Sequence, residues 1–148
     1  MLIFGADREI AAWVGEQLGI RDFGVSSAIG VARGSKIVAG AVFSNFRWPN
    51  IEITFAATTP KWATRQVCGA IMRYPFIQLD CRRVTAVTEA TNQPARAFLC
   101  RFGFREEGIH PDALPSGDAV TYGLLRRECR WIAEEEIGKI RTIAAAAA

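Results

Sequence analysis

Residues 92–108 read NQPARAFLCRFGFREEG, a helix that passes at once into a strand. Asn92 suits the position before a helix, because its short amide can accept from the free amides of the first turn. Ala95, Phe98, Leu99 and Phe102 follow at i, i+3, i+4 and i+7, which is one apolar stripe, and Gly103 stops the helix. A strand is expected over 104–108. A helix with one apolar face needs a sheet or another helix to bury it against.

Working outward, residues 83–88 (RVTAVT) form a compact β-branched strand. Before it, 61–74 reads as a helix with Trp62, Val67, Ala70, Ile71 and Tyr74 on its apolar stripe, Lys61 and Arg65 together on its polar side, and Pro75 at its end. Residues 51–57 (IEITFAA) alternate, with Ile51, Ile53 and Phe55 on one face and Glu52 and Thr54 on the other. Residues 28–43 are rich in Val, Ile and Ala and break at Gly34 and Ser35, as a hairpin does. A helix over 8–18 carries Ile10, Trp13, Val14 and Leu18 on one stripe, with Asp7 as its cap and Gly19 as its stop. Downstream, a loop containing Pro111, Pro115 and Gly117, a strand over 119–125 and a weakly helical tail from Cys129 complete the chain. The order of elements implies one mixed α/β domain with both antiparallel and crossover connections.

The 148 residues fit a single domain over 1–143, followed by an alanine run over 144–148 set aside as low complexity. Half of the residues are hydrophobic and 22% are charged, which excludes a disordered chain. No apolar run reaches the roughly 18–20 residues that cross a bilayer, and the start lacks the pattern of a signal peptide, so a cytoplasmic protein without a membrane partner is expected. Cys68, Cys81, Cys100 and Cys129 form no CxxC pair, and His110 is the one histidine, so no metal site is expected. The four cysteines read as reduced thiols.

Charge is unevenly spread. Residues 1–60 carry five bases and five acids, 61–105 eight bases and two acids, and 106–148 five bases and eight acids. A basic middle third between neutral and acidic flanks points to a local anion site. Nucleic acid is not the expected partner, because its binders usually have basic stretches interleaved with aromatics. Two helices begin directly after strands, near Lys61 and Asn92, and helix starts attract anions. Lys61 and Arg65 at the first and Arg96 at the second could clamp a molecule bearing several phosphates. Neither GxxxxGK[ST] nor GxGxxG is present.

The stretch Asn92-Gln93-Pro94-Ala95 through Gly103-Phe104-Arg105-Glu106-Glu107-Gly108 resembles the N-x-x-A/S…GF-x-x-EG segment of the GNAT acetyltransferase superfamily. Trp62, Ala63 and Thr64, then Tyr74, Pro75, Phe76, Gln78 and Leu79, then Arg83 to Ala86, resemble that family's acetyl-CoA helix and the following strand. Asp118, Tyr122, Gly123 and Glu128 to Trp131 resemble the branch that includes ribosomal-protein N-terminal acetyltransferases and related proteins of phages and bacteria. The likeness spans roughly residues 51–131.

The resemblance implies a mixed, twisted sheet flanked by helices and splayed between its fourth and fifth strands, with acetyl-CoA in the gap and no metal. It implies that the backbone of Phe55, Ala56 and Ala57 holds the pantetheine arm, that Lys61, Trp62, Ala63, Thr64 and Arg65 hold the pyrophosphate, and that Asn92, with Arg96 near it, touches the cofactor. The expected reaction is direct attack by a primary amine of a protein or small molecule on the thioester in a ternary complex, with a strand N–H near Ala56 polarising the carbonyl. Expected partners are acetyl-CoA and this amine, with a homodimer as an option. Two departures stand out. In the family's Q/R-x-x-G-x-G/A loop, Thr58 replaces the first residue and Lys61 the glycine, and Leu99 stands where the family often has an acidic tyrosine. The catalytic candidates are Glu52, which could take a proton through water, and Tyr122, which could return one to the thiolate. The alternative reading is a GNAT-fold module that binds CoA or a protein without turnover.

Overall fold

The computed structural model describes residues 1–133 and Glu136. A two-residue strand that the sequence did not announce, β1 (Leu2–Ile3), precedes α1 (Asp7–Leu18). The hairpin of β2 (Ser26–Arg33) and β3 (Lys36–Arg47) follows, then β4 (Asn50–Ala57). A 3-10 turn (Pro60–Trp62), α2 (Arg65–Arg73) and a π-helical turn (Tyr74–Gln78) lead to β5 (Arg83–Glu89). α3 (Gln93–Phe102), β6 (Arg105–Leu114) and β7 (Gly117–Leu125) complete the α/β domain. One seven-stranded sheet runs β1-β2-β3-β4-β5-β7-β6. Its neighbours are antiparallel except β4 and β5, which are parallel and joined through α2.

The helices divide between the two faces. α1 lies on β2, β3 and β4, where Ile10 and Val14 pack against Ala28, Val42 and Ala56. Gly30 and Gly40 lie beneath it because the helix sits too low for side chains there: a Cβ on Gly40 would stand 2.7 Å from Cγ2 of Val14. Gly19 ends α1 with φ at 72°, the left-handed turn that glycine adopts without strain. On the opposite face α2 and α3 cover Ile51, Ile53, Val84, Val120 and Tyr122, with Ile71, Met72, Leu99 and Phe102 in the same core.

Several boundaries differ from the sequence reading. Asp7 does not cap α1; it is the first helical residue, and its carboxylate accepts from the Ala28 amide of β2 at 2.9 Å. The helix expected over 61–74 is two pieces. Thr59 starts the 3-10 turn, and Thr64 starts α2 by accepting from the Val67 amide at 3.3 Å, so Lys61 and Trp62 lie before the helix. The loop expected around Pro111 is strand: β6 continues to Leu114, since a proline fits a sheet edge where no partner needs its missing N–H. A 3-10 turn (Arg126–Glu128) precedes the tail expected to be helical from Cys129; residues 129–133 are turn and irregular backbone instead, and most of the rest, with the alanine run over 144–148, lies outside the described residues. No helix among the described residues is long and apolar enough to cross a membrane.

Gly40→Ala should lower stability by about 1–3 kcal/mol, because the stiff, fully buried Val14 has no room to retreat. Urea unfolding, followed by circular dichroism, measures it. An unchanged midpoint would mean that α1 rides higher than its contacts indicate.

Candidate functional site

β4 and β5 pair at three positions: Asn50 with Arg83, Ile51 with Val84, and Glu52 with Thr85. Beyond Glu52 the strands part. β4 continues against β3 as far as Ala57, and β5 against β7 as far as Glu89. The gap thus opens at the carboxyl ends of parallel strands, where α/β sheets commonly receive ligands.

Two bonds at the ends of β4 fix which backbone groups face the gap. The Pro49 carbonyl accepts from the Arg82 and Arg83 amides on the β5 side at 2.9 and 3.2 Å, and the Thr58 amide donates to the Val38 carbonyl on the β3 side at 2.9 Å. The register with β3 is continuous from Glu52 to Ala57. Strand backbones alternate in direction, so Ile53, Phe55 and Ala57 turn their N–H and C=O groups into the gap. Ala56 does not. Its amide faces Gly40 of β3 and its side chain is buried under α1, so the strand N–H expected near Ala56 falls to its neighbours. Phe55 and Ala57 carry the available amides.

The gap encloses about 100 Å³ between Ile53 and Phe55 of β4, Ala86 and Val87 of β5, and Phe98 and Leu99 of α3 with its cap Asn92, and Leu18 of α1 also lines it. Phe98 meets Phe55 edge-on at 5.3 Å and lies 5.8 Å from Trp62, centroid to centroid. It also borders a second hollow of about 250 Å³, walled by Pro60, Trp62, Ala63, Phe102, Trp131 and Arg101. Burial pushes the Cys68 thiol at this hollow up to about 11, so it is no nucleophile at neutral pH. Lys61 on the turn, Arg65 at the start of α2 and Arg101 on α3 form no ion pair among the described residues. Thr64 spends its hydroxyl on capping α2, and Asn92 caps α3 by accepting from the Ala95 amide at 3.2 Å.

Arg96, expected to clamp a ligand together with Lys61 and Arg65, is not a free cation. Its Nε donates to the Tyr122 hydroxyl at 3.0 Å and its Nη1 to the Ala90 carbonyl at 2.9 Å, while Nη2 pairs with Glu106. The hydrogen bond to Tyr122 raises its pKa further; burial opposes this, and the hydrogen bond to Glu106 adds to the rise. Arg101, five residues along α3, stands beside the turn instead. Tyr122 is 1% exposed and reaches a separate hollow with Gln93, Arg96 and Cys100 instead of the gap. It lies on the α3 face. Glu52 pairs with Ser44 on the α1 face, half-buried at the foot of the gap, with Oε2 accepting from Nδ2 of Asn45 at 2.8 Å. The two catalytic candidates therefore do not converge. Trp48 is held at the sheet end, donating to the Asp80 carbonyl at 3.0 Å under the Arg82 guanidinium, and His110 is exposed on β6.

No protein-family model matches the sequence, and no curated protein does. Solved structures do. RimJ of Mycobacterium smegmatis, in complex with CoA-disulfide, superposes with a TM-score of 0.65 at 16% identity, over 94% of this chain and 88% of that one. A GNAT-family acetyltransferase of Bacillus anthracis gives 0.58 at 20% identity, over 68% and 67%. This chain has the GNAT acetyltransferase fold. The ribosomal-protein-S5-alanine acetyltransferase of Vibrio fischeri gives 0.59 at 17% identity over 73% of this chain, which spans 64% of the length of that enzyme. The expected splay of the GNAT sheet between its fourth and fifth strands is present here as the early end of the β4–β5 pairing. Phe98 and Arg101 were absent from the sequence-based site. Arg101 belongs to the basic segment, and its position relative to Arg96 was the available signal: five residues turn a helix by more than a third of a circle, so the two cannot serve one face.

On the α1 face, no helix among the described residues covers β5, β7 and β6, and an ion pair lies across them. Arg83 donates to both carboxylate oxygens of Glu107 and to the Thr85 hydroxyl, which donates to Asn50 at 2.7 Å. The Arg83 hydrogen bond holds Glu107 below the ordinary glutamate range. A carboxyl that is more acidic folded than unfolded contributes stability in full above the unfolded value, about pH 4.5, and loses it as pH falls through the depressed one. Glu107→Gln should lower stability at neutral pH and flatten the acid limb of the stability profile. Urea midpoints between neutral pH and pH 3 test this, and parallel profiles for the two proteins would refute it.

Proposed function

We propose that this chain transfers an acetyl group from acetyl-CoA to a primary amine of a protein or small molecule. The observation that carries the reading is the gap itself: an opened parallel strand pair whose odd-numbered β4 residues offer free backbone groups, continued past Phe98 by an aromatic hollow that Arg101 lines, with Lys61 and Arg65 on the chain segment that supplies its walls Trp62 and Ala63. These residues fit a ligand with a polar extended arm and a polyanionic end. The odd-numbered amides suit the arm, and the three cations with the free first amides of α2 suit the phosphates. Phe98 has to swing aside for an arm to connect the two spaces.

In this reading the arm brings the thioester to the gap, and the Phe55 or Ala57 amide stabilises charge on its carbonyl oxygen. The acceptor comes from the α1 face, where Glu52 takes a proton from the amine through a water and Asn45 keeps the carboxylate aimed. The neutral amine forms the new C–N bond as the C–S bond breaks. Leu99 fills the place of a proton donor at the gap, so water protonates the departing thiolate. Orientation of the two reactants supplies the rest of the rate. The same leucine, with Phe98 across the gap, favours the second reading, a GNAT-fold module that binds CoA without turnover.

Acetyl-CoA should raise the melting temperature, by the equivalent of about 2.7 kcal/mol at a hundredfold excess over its dissociation constant. Arg65→Ala and Arg101→Ala should each weaken binding about tenfold or more, whereas Arg105→Ala, already paired with Glu128, should not. Asn92→Ala also removes the α3 cap, about 1 kcal/mol of stability, so its binding is compared with its own unliganded melting temperature. Absence of any shift at millimolar acetyl-CoA would remove the cofactor reading.

Glu52→Gln should lower acetyl transfer by about 10²-fold or more and move the pH optimum upward, toward conditions where the amine is already neutral. The assay is transfer to a panel of peptides and small amines between about pH 6 and 9. An unchanged profile takes Glu52 out of the mechanism. Binding without transfer to any acceptor selects the second reading.

A further inference from the structure

Proteins that hold single-stranded nucleic acid combine cations spaced for phosphates with aromatic rings on which bases stack. The fold assembles such a set from distant residues, at the end of the sheet where β4 and β5 begin, opposite the end where the gap opens. Three segments meet there. The turn between β3 and β4 brings Phe46, Arg47 and Trp48, the entry to β5 brings Arg82, and the 3-10 turn after β7 brings Arg127. Backbone bonds tie the segments together: the Pro49 carbonyl accepts from the Arg82 amide at 2.9 Å, and the Arg82 carbonyl accepts from the Arg126 amide at 3.0 Å.

The rings are open to solvent, and one of them is fixed. Trp48 is 54% exposed and Phe46 52%. The Trp48 indole N–H donates to the Asp80 carbonyl at 3.0 Å, and the Arg82 guanidinium lies over the ring at 4.8 Å from its centroid. A guanidinium over an indole extends the platform and keeps N–H groups for a phosphate. The charges are unspent as well. Arg47, Arg82 and Arg127 are exposed and make no ion pair among the described residues. The acids on the same segments are already matched, Asp80 with Arg126 and Glu128 with Arg105.

We propose that this end of the sheet binds a single strand of nucleic acid, with bases stacked on Trp48 and Phe46 and phosphates on Arg47, Arg82 and Arg127. The sequence argued against such a partner because basic residues and aromatics are not interleaved along the chain; folding interleaves them in space. Other polyanions satisfy less of the surface. An acidic peptide meets the cations and leaves the rings without planar partners, and a duplex hides the faces of its bases. An anionic lipid surface takes up side chains that can turn into it, whereas Trp48 is tied to the backbone by its N–H. The surface is independent of the acetyl-transfer reading, because it shares no residue with the gap.

The experiment is fluorescence anisotropy of a labelled oligouridylate of about twelve nucleotides, titrated with the full chain in the absence of acetyl-CoA. The strand should bind saturably with a dissociation constant of about 100 μM or below at low salt, and log K should fall by about two per tenfold rise in salt, as three phosphate contacts on a single strand require. An abasic strand of the same length, which keeps the phosphates, should bind about tenfold more weakly. Trp48→Ala should cost about the same factor, and Phe46→Ala gives the same test should Trp48→Ala fail to fold. Arg47→Gln combined with Arg127→Gln should reduce the salt slope to about a third, whereas Lys36→Gln, at the other end of β3, should leave it unchanged. No binding at low salt, equal binding of the abasic strand, undiminished binding by a folded aromatic variant, or an equal loss in Lys36→Gln would each overturn the proposal. Tighter binding to phosphatidylserine vesicles than to the strand would overturn it in favour of a membrane surface.

Discussion

The parallel contact between β4 and β5 ends after Glu52 and Thr85, and the arrangement of the rest of the chain depends on that early end. A fourth pair would have set Ile53 against Ala86. Each strand instead follows its other neighbour, β4 with β3 and β5 with β7, and the twist of the sheet carries them apart. Aromatic rings hold the opening. Phe55 reaches out of β4 to Phe98, Phe102 and Trp62, and Trp131 closes the group against Phe102. The wedge is made of core residues, so the packing that stabilises the fold also keeps the gap from zipping shut. That is why α3 matters more to this protein than its ten residues suggest: its apolar stripe is one wall of the gap, and its cap residue Asn92 is another.

The sequence was most readable where a local period had one interpretation. Alternation over 51–57 and the i, i+3, i+4 stripe from Ala95 placed β4 and α3, with Gly103 ending the helix. It was least readable where two signals competed. Thr59 and Thr64 are both capping residues, and Trp62 extends the apolar stripe of α2 backward, so one helix was expected where a turn and a helix stand. β1 is too short to carry any period.

The candidate site was less legible than the fold, because its decisive relations join residues far apart in the chain. That Arg96 is occupied depends on Glu106 and Tyr122, which arrive with β6 and β7. That Ala56 turns its amide away from the gap depends on which strand lies on which side of β4, and alternation of side chains says nothing about that. Glu52 and Tyr122 were grouped by chemical type, whereas the register of the sheet assigns them to opposite faces. The basic middle segment said only that cations are concentrated there. It could not say which of them had acids waiting elsewhere.

Gly123 in β7 has a consequence for the whole uncovered half of the sheet. A Cβ there would stand 2.6 Å from the Glu107 carboxylate and 2.7 Å from the Arg83 guanidinium, so the bare strand backbone is what lets the pair lie flat. A sheet face without a helix ordinarily has to be apolar and hidden, or else polar and ragged with upright side chains. Here the two long side chains lie across β5, β7 and β6, and their charges satisfy each other over the strand between them. The bare backbone of one glycine thus lets an ion pair, in place of a helix, span this half of the sheet among the described residues.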